Sequence, residues 1–361
     1  MTQEIEPIDK KLDRYRAFWK REPIDRPILG VTLATYTPME MFSSINLPEE
    51  GEIKPEDLDL DVFLTWYEED YRRNLDLMGD QFWVAVPFWG VPWMEAILGC
   101  TVRISGTSIW AEPYLDGYRT LPAFDLSGEN PWLVKLLEFI DRLVERFGKE
   151  IPVAPPFMRG PSDLIAALRG SQQAMLDLYE FPDAIPKLVG ELSKAWVKVA
   201  KIGLESIPEF YGGYCNGNRQ IWAPGTCMET QEDATGLMSP GFYGEYFVSG
   251  TQHIVSSFDY GWIHLHSANL QNLDTLLQMD EMAALEVTID IPPSPTVEDL
   301  LPDLRRIQCY KPLILHGKLS LKEIQCLVEN LSTQGLAVIS RVESIEEGNE
   351  LMDRLITSGF S

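Results

Sequence analysis

The sequence predicts a (β/α)8 barrel of the α/β class, and three observations carry that expectation. Eight short apolar runs read as strands, most of them are separated by segments of helical period, and 361 residues with 45% hydrophobic content suffice for one large core. The runs fall at 28–34, 82–87, 151–155, 209–214, 262–266, 285–290, 313–317 and 336–340. They are short and rich in β-branched or aromatic residues, the pattern of a parallel sheet wrapped by crossover helices. Helical spacing marks 64–78, 133–147, 162–179, 182–204, 240–256, 272–279, 297–307, 321–331 and 345–356. An open doubly wound sheet is the alternative. No glycine-rich dinucleotide fingerprint follows the first run, which counts against a Rossmann unit.

Two additions to the barrel are expected. Residues 1–26 form an N-terminal helical extension, because Leu12, Tyr15, Phe18 and Trp19 fall on one helical face before Pro23 and Pro27 intervene. Residues 104–120 alternate polar and apolar side chains around Asp116-Gly117, which predicts an inserted β-hairpin capping the rim. No repeat or linker divides the chain, so 1–361 is read as one domain.

A formal net charge of -25, from 30 basic and 55 acidic residues, repels phosphate backbones and anionic bilayers. Nucleic acid and membrane are therefore excluded as expected partners, and a small molecule is the expected one. The N-terminal segment lacks the pattern of a secretory signal, so a cytoplasmic protein is expected. Cys100, Cys215, Cys227, Cys309 and Cys326 are scattered and form no C-x-x-C pair, so they read as thiols rather than as a disulfide framework or zinc knuckle.

Barrel enzymes place their chemistry where strands end, which directs attention to those positions. Run two is preceded by Asp80 and followed by Trp89 and Trp93, aromatics suited to an apolar pocket wall or to rim packing. Run three leads to Arg159, a candidate carboxylate clamp or a surface ion pair. Run four supplies Tyr211 and Asn216 and opens a long loop holding Asp233, a candidate acid or base. Run five carries His264-Leu265-His266, where i and i+2 positions bring two of the chain's four histidines onto one face. Asp290 ends run six, His316 ends run seven and Arg341 follows run eight. Three histidines, or His264 and His266 with Asp290, have the composition of an open zinc site, and without metal the same groups suit acid–base work.

Several stretches in order resemble the superfamily of uroporphyrinogen decarboxylase and the corrinoid- and coenzyme-M-linked methyltransferases. They are Glu22-Pro-Ile-Asp-Arg-Pro27, Arg159-Gly-Pro161 with Leu168-Arg-Gly170, Glu232-Asp233 with Leu237-Met-Ser-Pro240-Gly-Phe242, His264-Leu-His-Ser-Ala-Asn269 and Leu315-His-Gly-Lys-Leu319. The resemblance implies a barrel with a pocket at the carboxyl ends of its strands, and often a homodimer. It implies that Asp80 stands where the decarboxylases engage pyrrole nitrogens, although their tyrosine near Ala166 is replaced. The segment 30–48 lacks the arginines those enzymes use on porphyrin carboxylates, and 339–341 reads Ile-Ser-Arg without the cysteine of the zinc methyltransferases. The leading expectation is methyl transfer between a small donor and a corrinoid or other one-carbon carrier, with a partner corrinoid protein and zinc as expected companions. A cofactor-free decarboxylase using Asp80 with Arg159 or Arg341, and a non-catalytic binding protein, are the alternatives.

Overall fold

The computed structural model describes residues 6–33, 47–119 and 121–358. Ala34, Thr120, residues 1–5 and most of the arginine-free segment 30–48 lie outside that set. The centre is a six-stranded sheet in the order β1 (Ile28–Leu33), β11 (Leu336–Val342), β10 (Leu313–Gly317), β9 (Ala284–Ile289), β8 (Tyr260–His266) and β7 (Cys227–Gln231). Every neighbouring pair is parallel. Residues on one face meet in register: Gln231 beside His264, His264 beside Glu286, Thr288 beside His316 and Thr32 beside Arg341.

Five of the eight expected runs are strands of this sheet, and two others, 82–87 and 151–155, meet among the described residues in a single parallel bridge, Ala85 to Val153. The Asp80 amide donates to Leu29 O (2.8 Å), the Ala154 amide to Ala85 O (3.0 Å) and the Gly160 amide to Gln231 O (2.8 Å). The segments 82–87 and 151–155 thus join the sheet through isolated bonds instead of ladders. Pro87, Pro152, Pro155 and Pro156 bring no N–H, and a ladder cannot be built across them.

Run four is displaced. Residues 209–214 turn at Tyr211 and Gly212, whose φ angles are 51° and 73°. The chain then makes a two-residue antiparallel pair, β5 (Tyr214–Cys215) with β6 (Trp222–Ala223). The strand that enters the sheet is β7, inside the stretch read as a loop. The hairpin also shifts. It is β3 (Thr101–Ser105) against β4 (Ser108–Glu112), turning at Gly106 (φ 58°), with β2 (Glu50–Ile53) on its other edge. Asp116-Gly117 follows the hairpin, because the left-handed glycine two residues into the run turns the chain first. The helix expected at 162–179 is two, Pro161–Arg169 and Ser171–Glu180, divided at Gly170 (φ 89°). No described helix is long and apolar enough to cross a membrane.

The two faces of the sheet bury different things. Leu29, Val31, Ile263, Leu265, Val287 and Leu315 pack outward under the helices. Inward, the first level is apolar: Ile28, Cys227, Trp262, Ala284, Ile314 and Ala337 meet Leu12, Tyr15 and Phe18 of the helix Ile8–Lys20. That helix plugs the amino-terminal ends of the strands. Its docking is tied by Trp19, whose Nε1 donates to Trp222 O at 2.8 Å, and by Asp80. The Asp80 carboxylate is 0% exposed and accepts from Arg14 Nη1 (2.5 Å), Arg26 Nη2 (3.0 Å) and the Leu29 amide (2.9 Å).

Removing one partner of such a buried pair leaves uncompensated charge, which costs about 3–5 kcal/mol. Asp80→Ala is expected to lose that much in urea unfolding. Asp13→Ala, which breaks an exposed pair with Arg16, is expected to lose less than about 1 kcal/mol.

Candidate functional site

Above the apolar level, the inward positions of the same strands become polar. Glu229, His264, Glu286 and His316 are all buried. Arg219 joins them from the turn between β5 and β6. Asn216 builds that turn, since its Oδ1 accepts the Arg219 amide at 2.7 Å and its own N–H donates to Ile221 O at 2.8 Å. Arg219 Nε lies 3.2 Å from Glu286 Oε1 and 3.8 Å from Glu229 Oε1, and its Nη2 donates to Thr288 Oγ1 at 3.3 Å.

One guanidinium cannot neutralise two carboxylates, so the two glutamates differ. Burial raises the Glu286 carboxyl, but Arg219 and His264 outweigh it and hold the group down at about 2. Burial pushes Glu229 up, and the charge on Glu286 adds to that push against the pull of Arg219. Glu229 is therefore the carboxyl that keeps its proton more readily.

Both histidines are backed by carboxylates through Nδ1. His264 Nδ1 contacts Glu286 Oε2, and His266 Nδ1 lies 2.7 Å from Asp290 Oδ1. A carboxylate at Nδ1 calls for the proton there, so Arg219 Nη2, 3.0 Å from the same His264 nitrogen, donates to Glu286 and Thr288. Asp290 is fixed by Ser267, which donates to Oδ2 (3.2 Å) and accepts from the Asp290 amide (3.0 Å). The rings meet edge to face with centroids 4.7 Å apart. His266 Nε2 lies 3.7 Å from Asp233 Oδ2. Asp233 raises the imidazolium most, against partial burial and with help from Asp290, to about 9.

Asp233 is itself held. Gln231 Nε2 donates to it at 2.8 Å, and its amide and that of Ala234 donate to Asp163 at 3.2 and 2.7 Å. Burial, with the charge of Asp233, raises Asp163 to about 6. Burial, with Asp163, raises neighbouring Glu232 to about 8, so that group is mostly neutral at pH 7.

Two cavities flank this cluster. The larger, about 490 Å³, is bordered by Arg219, His316, Arg341 and aromatic side chains including Trp83 and Trp89. The smaller, about 430 Å³, is bordered by Asp233, Asp163, Arg159 and Trp110. Arg219, in contact with His264, borders the larger, and Asp233, near His266, borders the smaller.

His264, His266, Asp233 and Asp290 thus converge, with the roles of the two aspartates exchanged. Asp290 orients a ring through Nδ1, while Asp233 joins the histidines in a group whose ligand atoms lie within 4.8 Å of one another. That set fits a divalent cation, because each imidazole has its Nδ1 engaged and its Nε2 left over. The other cluster, Glu229, His264 and Glu286, already holds the Arg219 cation and does not need a second. His316, Arg341 and Trp89 border the larger cavity, and Arg159 borders the smaller while pairing with buried Glu95. Asn216 positions Arg219.

Three expected residues lie elsewhere. Asp80 is occupied by arginines under the sheet, Trp93 is buried in the core with Nε1 on Phe88 O at 2.9 Å, and Tyr211 is 53% exposed at a turn. Arg219, Glu229, Glu286 and Asp163 were not singled out in the sequence. For Glu286 a signal existed: Glu286, Thr288 and Asp290 alternate with Leu285, Val287 and Ile289, marking a polar inner face.

A solved structure of a methyltransferase from Methanosarcina mazei is similar over 95% of this chain and 98% of that one, at TM-score 0.65 and 16% identity. At that identity the likeness shows a shared fold. No family profile matches the sequence, and no curated protein matches it.

The pKa of His266 in the folded protein, about 9, lies above the usual imidazole value of 6.5. Its contribution to stability is full below pH 6.5 and lost as pH rises through 9. The ring is 35% exposed, so solvent screening keeps that contribution to no more than about 1 kcal/mol. Histidine-labelled NMR is expected to show the high midpoint, and Asp290→Asn to lower it. Arg219→Met leaves Glu286 unpaired and is expected to cost about 3–5 kcal/mol, with part recovered in the Arg219→Met/Glu286→Gln double variant.

Proposed function

We propose that the chain is a methyltransferase-type enzyme that moves a methyl group from a small donor to a corrinoid or other one-carbon carrier. The observation that carries this reading is the His264–His266–Asp233 group, whose Asp233 borders the smaller cavity and whose His264 is in contact with Arg219, which borders the larger. In this reading the larger cavity takes the donor and the smaller faces the carrier. The six-stranded sheet with its bridging segments is taken as a (β/α)8 barrel whose mouth holds the site. The likeness to a methyltransferase fold supports the reading.

Methyl transfer breaks the bond between the methyl carbon and a donor heteroatom, and the bonding pair stays on the heteroatom. The carrier's lone pair forms the new bond to carbon. The developing charge on the leaving atom then calls for a proton or another positive centre. His266, protonated at neutral pH by its two aspartates, is placed to supply the proton, and Asp233 keeps the ring cationic until transfer. Asp290 and Glu286 fix the two ring planes. Where zinc is bound, His264, His266 and Asp233 would hold it, and it would supply Lewis acidity to the same leaving atom. The decarboxylase reading loses its charge-stabilising residue, since the Asp80 oxygens are taken by Arg14, Arg26 and the Leu29 amide.

The test joins elemental analysis of the purified protein to a methyl-transfer assay over methylated donors and carriers. Turnover is expected to fall by about 10²–10⁴ in His266→Ala with the fold retained. About one zinc per chain, lost in His264→Ala and His266→Ala, is the expected metal result. Absence of both metal and transfer with every donor sinks the proposal.

A further inference from the structure

The larger cavity differs in charge from the rest of the molecule. The chain carries 55 acidic against 30 basic residues, yet the charged groups bordering this cavity are Arg219, Arg341 and Asp70, with His316 beside them. Their individual states decide its sign. Arg219 is engaged with Glu286. Burial and the nearby Arg219 drive His316 far below the usual imidazole range, so it is neutral. Both Asp70 oxygens already accept bonds, from Asn74 Nδ2 and Trp83 Nε1, and burial lifts the group to about 7. Arg341 is exposed at the mouth, next to Thr32, and has no hydrogen-bond or ion-pair partner among the described residues.

The walls are Trp66, Tyr67, Trp83, Trp89 and Phe157. Aromatic walls suit two opposite ligands: a quaternary ammonium over the ring faces, or a flat apolar body whose polar group is held elsewhere. A cation needs a firm counter-charge, and here Asp70 is saturated and partly protonated while Arg341 repels it. An anion meets the Arg341 guanidinium, unpaired among the described residues, with five N–H donors in a fork that matches a carboxylate. At about 490 Å³ the space is of a size that holds a small organic molecule.

We propose that the larger cavity recognises a small carboxylate with a planar apolar body, the carboxylate on Arg341 and the body among the tryptophans. This names the substrate class for the donor site and rests on that reading for its place in the reaction. Binding itself requires no turnover, so the two fail separately.

The test titrates benzoate, benzamide and tetramethylammonium into the full-length protein, followed by tryptophan fluorescence and by calorimetry at fixed ionic strength. Benzoate is expected to bind, benzamide to bind roughly tenfold or more weakly, and tetramethylammonium not to bind. Arg341→Gln is expected to weaken benzoate by roughly tenfold or more at an unchanged thermal midpoint, with Arg341→Lys recovering part. Lys318→Gln, which removes a surface cation paired with Glu343, is expected to leave affinity alone. Equal binding of benzamide, preference for tetramethylammonium, benzoate affinity untouched by Arg341→Gln, or no benzoate binding into the millimolar range each overturns the proposal. If benzoate binds through Arg341 while no donor is turned over, the methyl-transfer reading falls and this one stands.

Discussion

The interior of this sheet depends on one cation, Arg219. Glu229 and Glu286 project from neighbouring parts of the inner face, both buried, and an unpaired buried carboxylate costs several kcal/mol. The guanidinium makes Glu286 tolerable as an anion, and ionised Glu286 then fixes the ring of His264. The Asn216 turn holds Arg219 in place, and that turn hangs from the short β5–β6 pair whose Trp222 carbonyl is tied to Trp19 of the first helix. The plug at one end of the sheet and the histidines at the other are therefore linked through a single loop residue.

Much of the architecture was legible because parallel strands covered on both faces read as apolar runs. β8, β9, β10 and β11 were found within a few residues for that reason. β7 was not, because its sequence Cys-Met-Glu-Thr-Gln places two polar residues where the inner face carries chemistry, and it reads as loop. The false strand at 209–214 failed for the opposite reason: an aromatic run was taken at face value, while Gly212 at φ 73° turns it. In the site, the i, i+2 histidines were legible from the pleat alone. Arg219 was not, since nothing in a loop sequence says which side chain will turn inward. Asp80 misled because a carboxylate after a helix looks the same whether it faces substrate or two buried arginines.

The fold is shared with a solved methyltransferase structure, and the chemistry of this chain is its own at particular atoms. Ser340, near the end of β11, donates to Leu319 O at 2.9 Å and accepts from the Leu319 amide at 3.2 Å. It is 0% exposed. That hydroxyl ties a strand to the following loop and is closed to ligands. The group of His264, His266 and Asp233 offers nitrogen and oxygen donors, which suit harder cations than sulfur does.

The lone bridge between Ala85 and Val153 makes one side of the sheet a seam. Elsewhere each strand is fastened to its neighbours by a row of backbone bonds. Along the seam the fastening is side-chain packing, and local opening there breaks few hydrogen bonds. Trp83, Val84, Val86 and Phe157, which flank the seam, also wall the larger cavity. Fewer backbone bonds therefore hold the chain beside this cavity than hold the strand of the two histidines, which is laddered on both sides, and local opening is expected to cost less here.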